Sequence, residues 1–397
     1  MQFLEESQSH QKNADIEVLR SFAILSTLVS HLDILFFWGS DKFDAFQRTF
    51  FLWGGVDLFF CISGYVITGN LLRSLSDARS GRFRDFAIPF WIRRAWRILP
   101  SAWLWILVPL ALSITFNRTG YLGTPEGNLI DGASIVAQIA NFHIWSCYAI
   151  PGITCGVNQV YWSLSLEEQS YILLPILLFF ANRRTVVPTL CAIVLAQLFL
   201  HRPVLSFLWF TRTDALALGA LIAIFQQSNF FNSIEPRALS RGWVAAIVLA
   251  IFCAVLSVIP GALVRIPFHT GLLALVSAVM VWIASYGKGY TWPDGAIKRA
   301  MVYVGSRSYA IYLIHVPTYR VTRELWMHLA PHGAVIDGTY SLRFVLTAIP
   351  LVLVLAELNY RLIETPLRLH GARVADRWRQ SRTKMQAVSH GTPDRIT

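Results

Sequence analysis

Residues 16–36 read IEVLRSFAILSTLVSHLDILF, an apolar run of membrane-crossing length with an arginine and a histidine inside it. About 20 such residues span the roughly 30 Å of hydrocarbon in a bilayer. A charge there costs several kcal/mol, so Arg20 and His31 point to chemistry or transport within the membrane. Their spacing is about three helical turns, which sets both on one face with the imidazole roughly 16 Å above the guanidinium. Ile24 and Thr27 lie between them on that face, and Asp33 points away.

The rest of the chain has the same character. Of 397 residues, 55% are hydrophobic and only 14% charged, against about 25% charged in soluble domains. The pattern predicts an all-α integral membrane protein with ten transmembrane helices: 16–36, 50–72, 99–117, 163–181, 185–201, 205–226, 243–259, 265–285, 301–326 and 343–363. Residues 129–149 are long enough for another, but they contain Asp131, Gln138, Asn141 and His143. An eleventh span would invert everything after it and move Arg183, Arg184, Lys298, Arg299 and the basic tail outside. Ten spans keep most of the 34 Lys and Arg cytoplasmic, as the positive-inside rule asks, with both termini inside. Segment 129–149 then lies at the outer surface or re-enters. The chain divides into a cytoplasmic segment 1–15, a membrane domain 16–366 and a basic, partly disordered cytoplasmic tail 367–397. The first span lacks a small-residue cleavage site and reads as a retained helix. The net charge of +11 is a topology signal and no argument for nucleic acid, because no soluble recognition element accompanies it.

Further charges sit inside or at the ends of these spans. Asp57, among Val, Leu and Phe, needs a partner: Arg20, a backbone donor, or a structural ion pair with another helix. Arginines from Arg73 to Arg97 form a cytoplasmic loop ending RRAWR (93–97), where Arg93, Arg94 and Arg97 with Trp91 and Trp96 suit an anionic, nucleotide-like donor. In WSLSLEEQSY (162–171), Glu167 shares a helical face with Ser163 and Ser170 or Tyr171, whereas Glu168 faces elsewhere. Arg212 and Asp214 open a later span, and Arg307 and Glu357 lie in the last two. Ser308, Tyr312, His315 and Tyr319 form a polar stripe of the kind that lines a cavity. Cys61, Cys191 and Cys253 read as core residues. Cys147 and Cys155 both fall in the external stretch 118–162, where Pro151-Gly152 supplies a turn between them; they form either a disulfide or two free thiols. No Cys/His spacing suits a metal site.

Several of these stretches, in this order, resemble acyltransferase family 3, the multi-pass acyltransferases that modify bacterial surface glycans and some antibiotics. The resemblance covers roughly 16–366. It rests on R-x10-H from Arg20 to His31, GVDLFFCISGYVIT (55–68), RRAWR, WSLSLEEQSY, RTDALALGALIA (212–223), SYAIYLIHVP (308–317) and IETPLR (363–368) with Glu364. It implies an essential His31, a partner Arg20, an R-x-x-R donor site at Arg94 and Arg97, and acyl transfer from cytoplasmic acyl-CoA to an extracytoplasmic acceptor. Some members carry a fused periplasmic esterase-like domain; the expectation here is a chain that acts alone or with a separate periplasmic partner.

The expected function is therefore a bacterial inner-membrane O-acyltransferase, with acetyl-CoA as donor, a glycan or lipid-linked sugar as acceptor, and no permanently bound cofactor or metal. An imidazole, which titrates near neutrality, is the suited general base for an acceptor hydroxyl, or a nucleophile that takes the acyl group itself. Glu167 would fix its tautomer. Asp57, Arg212, Asp214, Ser308, Tyr312 and His315 are expected to line the cavity. The competing classes are a proton-coupled transporter of a glycan or lipid, which would favour internal repeats and broken helices, and a structural membrane subunit.

Overall fold

The computed structural model describes residues 13–39, 41–78, 81–262, 266–331 and 333–389, and among the described residues every regular element is helical. Residues 1–12 of the expected N-terminal segment and 390–397 of the tail lie outside the described residues. The first helix, α1 (Ala14–Ser30), is capped by Asn13, whose side chain accepts from the amides of Asp15 and Ile16. It ends just before His31 for a local reason. The Thr27 carbonyl, which a continuing helix would pair with the amide of residue 31, lies 2.9 Å from His31 Nδ1 and also accepts from Ser30 Oγ at 2.9 Å. The His31 amide turns to Val29 O instead.

Short helices α2 (Leu32–Leu35) and α3 (Asp41–Thr49) lead into α4 (Gly55–Ala78) and the 33-residue α5 (Phe83–Thr115). The chain continues through α6 (Pro125–Val136), α7 (Ala140–Ala149), α8 (Tyr161–Phe180), α9 (Arg183–Leu198), α10 (Phe207–Phe210) and α11 (Asp214–Phe225). Then come α12 (Asn229–Ser233), α13 (Gly242–Val258), α14 (His269–Ser285), α15 (Ala296–Ser306), α16 (Ser308–Leu329), α17 (Ser341–Asn359) and, after a π-turn at Tyr360–Glu364, α18 (Thr365–Ser389).

Among the described residues seven helical stretches are long and apolar enough to cross a membrane, and the chain is a multi-pass membrane protein. They match seven of the ten expected spans. The other three differ: 185–201 is the 16-residue α9, 265–285 holds the 17-residue α14, and 301–326 is broken at Arg307. At that break Arg307 leaves helical geometry and turns to Glu357 at 2.9 Å, its guanidinium stacked between Tyr303 and Tyr360. Segment 129–149 forms the two short helices α6 and α7, neither long enough to span.

The expected basic loop and much of the expected partly disordered tail are helical. From Phe83 onward the arginine-rich segment belongs to α5, and residues 367–389 of the tail belong to α18. Each helix supplies the other's packing surface: a Cβ on Gly371 would stand 2.3 Å from Trp96 Cβ, His370 packs on the Trp96 ring, and Arg93 pairs with Asp376 at 3.1 Å. Helices α4 and α11 cross in backbone contact. A Cβ on Gly64 would lie 2.0 Å from Leu216 O, and one on Gly219 2.0 Å from Cys61 O, so only glycine lets these backbones touch.

Candidate active site

Three cavities share lining residues along the bundle. The first, about 540 Å³, lies where α1 begins and α4 ends; Arg20, Arg73, Arg97 and Arg368 line it with Tyr65 and Ser308. The second, about 100 Å³, is bordered by Arg20, Arg94, Arg97, Ser63, Glu167, Tyr171, Ser308 and Tyr312. The third, about 340 Å³, lies at the opposite end, where α1 ends and α4 begins, and contains His31 and Asp33. Aromatic rings of Trp53, Trp162, Trp209 and Phe210 wall it, with Gln47, Tyr148, Gln159 and Arg320 as polar groups. Arg20, Arg97 and Ser308 border the first two cavities, and Val56 and Tyr312 border the second and third.

The hydrogen bonds of His31 define its tautomer. Nδ1 stands 2.9 Å from Thr27 O, which can only accept, so Nδ1 carries the proton. The same atom is 3.3 Å from His315 Nε2. His315 in turn directs Nδ1 at Tyr312 O (2.8 Å), which leaves its Nε2 an acceptor toward His31. With Nδ1 committed, the basic lone pair of His31 is on Nε2, which no protein group among the described residues occupies and which belongs to the cavity-facing ring. Two imidazoles in relay therefore stand where one was expected to act with a carboxylate.

That carboxylate is elsewhere. Glu167 accepts from the hydroxyls of Ser63 and Tyr171 and borders the second cavity, so it does not orient His31. The correction follows from the packing of α8, which turns Glu167 toward α4 at Ser63 and toward the Arg94 side; Arg94 stacks on Tyr171 at 5.2 Å. Arg20, Arg94 and Arg97 do converge, with Arg20 also bound to Glu17 at 2.8 Å.

Asp57, Arg212 and Asp214 line none of these three cavities. Asp57 pairs with Arg212 at 2.8 Å, and Arg212 also donates to Trp209 O and sits within 5.9 Å of the Trp53, Phe60, Trp162 and Trp209 rings. Asp214 forms a two-pronged pair with Arg202 at 2.5 and 3.1 Å. Both pairs are buried because a charge this deep is tolerated only when paired. Ser308 and Tyr312 do line cavities, whereas His315 is fully buried behind His31.

Cys147 and Cys155 form a disulfide. It closes the loop between α7 and α8, which contributes Val157, Gln159 and Val160 to the His31 cavity. Asp131 holds the same loop by accepting from Gly156 N and Asn158 N at 3.0 Å and from His143 Nε2 at 2.9 Å. His143 lies beside the two sulfurs, but their bond leaves no thiolate to hold a metal. Ser63, Arg202 and Arg320 escaped the sequence reading, whereas Tyr171, expected on the Glu167 face, does contact it. The signal for Arg320 was present, since it is a charge inside a membrane-length segment like Arg20; Ser63 shows only in tertiary contact.

The acyltransferase domain of acyltransferase family 3 matches residues 13–356. A Bacillus subtilis protein named "Putative peptidoglycan O-acetyltransferase" is 28% identical over 92% of this chain and 56% of its own length. The peptidoglycan O-acetyltransferase of Listeria monocytogenes is 26% identical over 90% of this chain and 56% of its own length. The chain thus spans little more than half the length of these relatives. No solved structure matches it. With the domain match running through nearly all of its helices, this chain belongs to acyltransferase family 3, a family of membrane acyltransferases.

Proposed function

We propose that the chain transfers an acyl group, acetyl in the first instance, from acyl-CoA at the arginine-lined end to a glycan hydroxyl at the histidine end. The observation that carries this reading is the pair of unlike cavities at opposite ends of one bundle, both bordering a narrow middle compartment. The cationic side suits phosphates, which guanidinium groups bind in charge-assisted, two-pronged contacts. The aromatic side suits sugar rings. By the positive-inside rule the arginine end faces the cytoplasm and the histidine end the outside of a bacterial inner membrane.

In the reaction, the thioester reaches the Val56–Tyr312 partition through the middle cavity. His31 Nε2 removes the proton from the acceptor hydroxyl as its oxygen attacks the thioester carbonyl. The tetrahedral adduct collapses, the C–S bond breaks, and the imidazolium returns its proton to the departing CoA thiolate. Thr27 O and His315 Nε2 face the Nδ1 proton and keep the ring in the tautomer that this step needs. The products are the acylated hydroxyl and free CoA. The family match favours this over transport.

The test is acetyl transfer from labelled acetyl-CoA by the purified chain in lipid nanodiscs. His31→Ala and His31→Gln are expected to lose about 10²- to 10⁴-fold in kcat, the range of a general base, with elution and melting unchanged. Activity within tenfold of wild type in a folded His31→Ala protein overturns the mechanism.

A further inference from the structure

We infer that Arg320 anchors an anionic group on the acceptor, a carboxylate or a phosphate, within about one sugar residue of the hydroxyl that is acylated. The inference rests on the reading of the His31 cavity as the acceptor site. Arg320 lies on α16 in the same stripe as Tyr312 and Val316, spaced by four residues each, and all three border that cavity. It is the guanidinium of the His31 cavity, as Arg94 and Arg97 are those of the donor side.

What distinguishes Arg320 is that it borders the His31 cavity with no carboxylate among the described residues within ion-pair distance. Nη1 donates to Tyr121 O at 2.9 Å, while Nε is buried with no partner, as are Nε of Arg202 and Nε of Arg323. Five other guanidiniums of the bundle fall into two groups. Arg202, Arg212 and Arg307 each grip a carboxylate through two nitrogens. Arg94 and Arg97 have no carboxylate partner and border the cavity assigned to the donor's phosphates. Arg320 belongs with the second group but at the other end of the bundle. A half-buried cation with open donors is costly unless something supplies the negative charge.

No neighbour among the described residues pairs with it. Arg323, one turn on, turns away to donate to Ile34 O and stack on Tyr121. Asp33 borders the same cavity, but it is exposed and makes no ion pair with Arg320. Five residues of helix separate Arg320 from His315, which touches His31, so the two functions are about 7.5 Å apart along the axis. That distance sets the reach from the reacting hydroxyl to the anion.

The experiment measures binding and turnover separately on the full chain in nanodiscs. The probes are a neutral N-acetylhexosamine tetramer, the same tetramer with carboxyl groups on alternate residues, its methylamide, and the tetramer bearing a terminal phosphate. Wild type is expected to bind the carboxylated or the phosphorylated probe at least tenfold more tightly than the neutral and amide probes, and the arm that responds identifies the anion. Arg320→Gln should erase that preference while leaving affinity for the neutral probe and for acetyl-CoA unchanged. Arg320→Lys should restore part of it. Equal binding of all four probes by wild type overturns the inference without any variant, as does equal weakening of neutral and anionic probes by a folded Arg320→Gln protein. If the anion preference holds but no probe is acylated, the acyl-transfer reading fails and the anion site stands. If acylation proceeds with no preference, the reverse is true.

Discussion

Replacing Asp57 with leucine should be among the most damaging single substitutions in this protein, although Asp57 touches no cavity. The carboxylate and Arg212 are both fully buried and 2.8 Å apart. Removing one partner strands a guanidinium inside the bundle, which costs about 3–5 kcal/mol in comparable buried pairs. Two features hold the expected figure near the lower bound: Arg212 keeps its bond to Trp209 O at 2.7 Å and its contacts with the Trp209 and Trp162 rings at 4.3 and 4.9 Å. The double variant Asp57→Leu/Arg212→Met removes both charges and should recover most of the loss, since replacing both partners by apolar groups is often neutral. The assay is melting of detergent-solubilised protein followed by tryptophan emission, which reports this region because three indoles surround the guanidinium. Those indoles also wall the His31 cavity, so acceptor affinity should fall with the melting temperature in the single variant and return in the double. A single variant as stable as wild type refutes the reasoning, and so does a double variant worse than the two single losses combined.

Gly64→Val should prevent accumulation of folded protein, because its Cβ would stand 2.0 Å from the Leu216 carbonyl; normal membrane yield with wild-type melting would show that α4 and α11 do not cross there. Glu167→Gln should raise the KM for acyl-CoA about tenfold and change acceptor KM little, since Glu167 borders the middle cavity with Arg94. Glu168→Gln should be neutral or slightly stabilising, because Glu168 Oε1 is buried without a partner; steady-state kinetics of the two variants, with the larger defect at Glu168, would exchange these roles. Cys147→Ser/Cys155→Ser should lower stability by about 2.5 kcal/mol on the loop-closure account. Alkylation and peptide mapping of protein purified without reductant check the bridge itself: free labelling of both thiols would remove it.

Membrane class, the main hydrophobic helices and the Arg20–His31 spacing could be read from the chain alone. Each depends on local period, on composition, or on residues close in sequence. For Cys147 and Cys155 the chain alone allows either a disulfide or two free thiols, and the structure joins them. Helix ends and partners could not be read this way. The break at His31 follows from competition for the Thr27 carbonyl, and the break at Arg307 from a carboxylate fifty residues away on α17. The basic segment at 83–97 reads as a loop and that at 367–389 as a partly disordered tail because their arginines suppress hydrophobicity, yet each is helical against the other. Most consequential is the sorting of intramembrane charges, which a one-dimensional pattern leaves equivalent. Only packing separates Asp57, Arg212 and Asp214, locked in buried ion pairs, from Arg94, Arg97 and Arg320, whose donors face open space. A charge in a membrane helix requires a partner, but which partner it finds depends on contacts between residues far apart in sequence, 155 positions for Asp57 and Arg212.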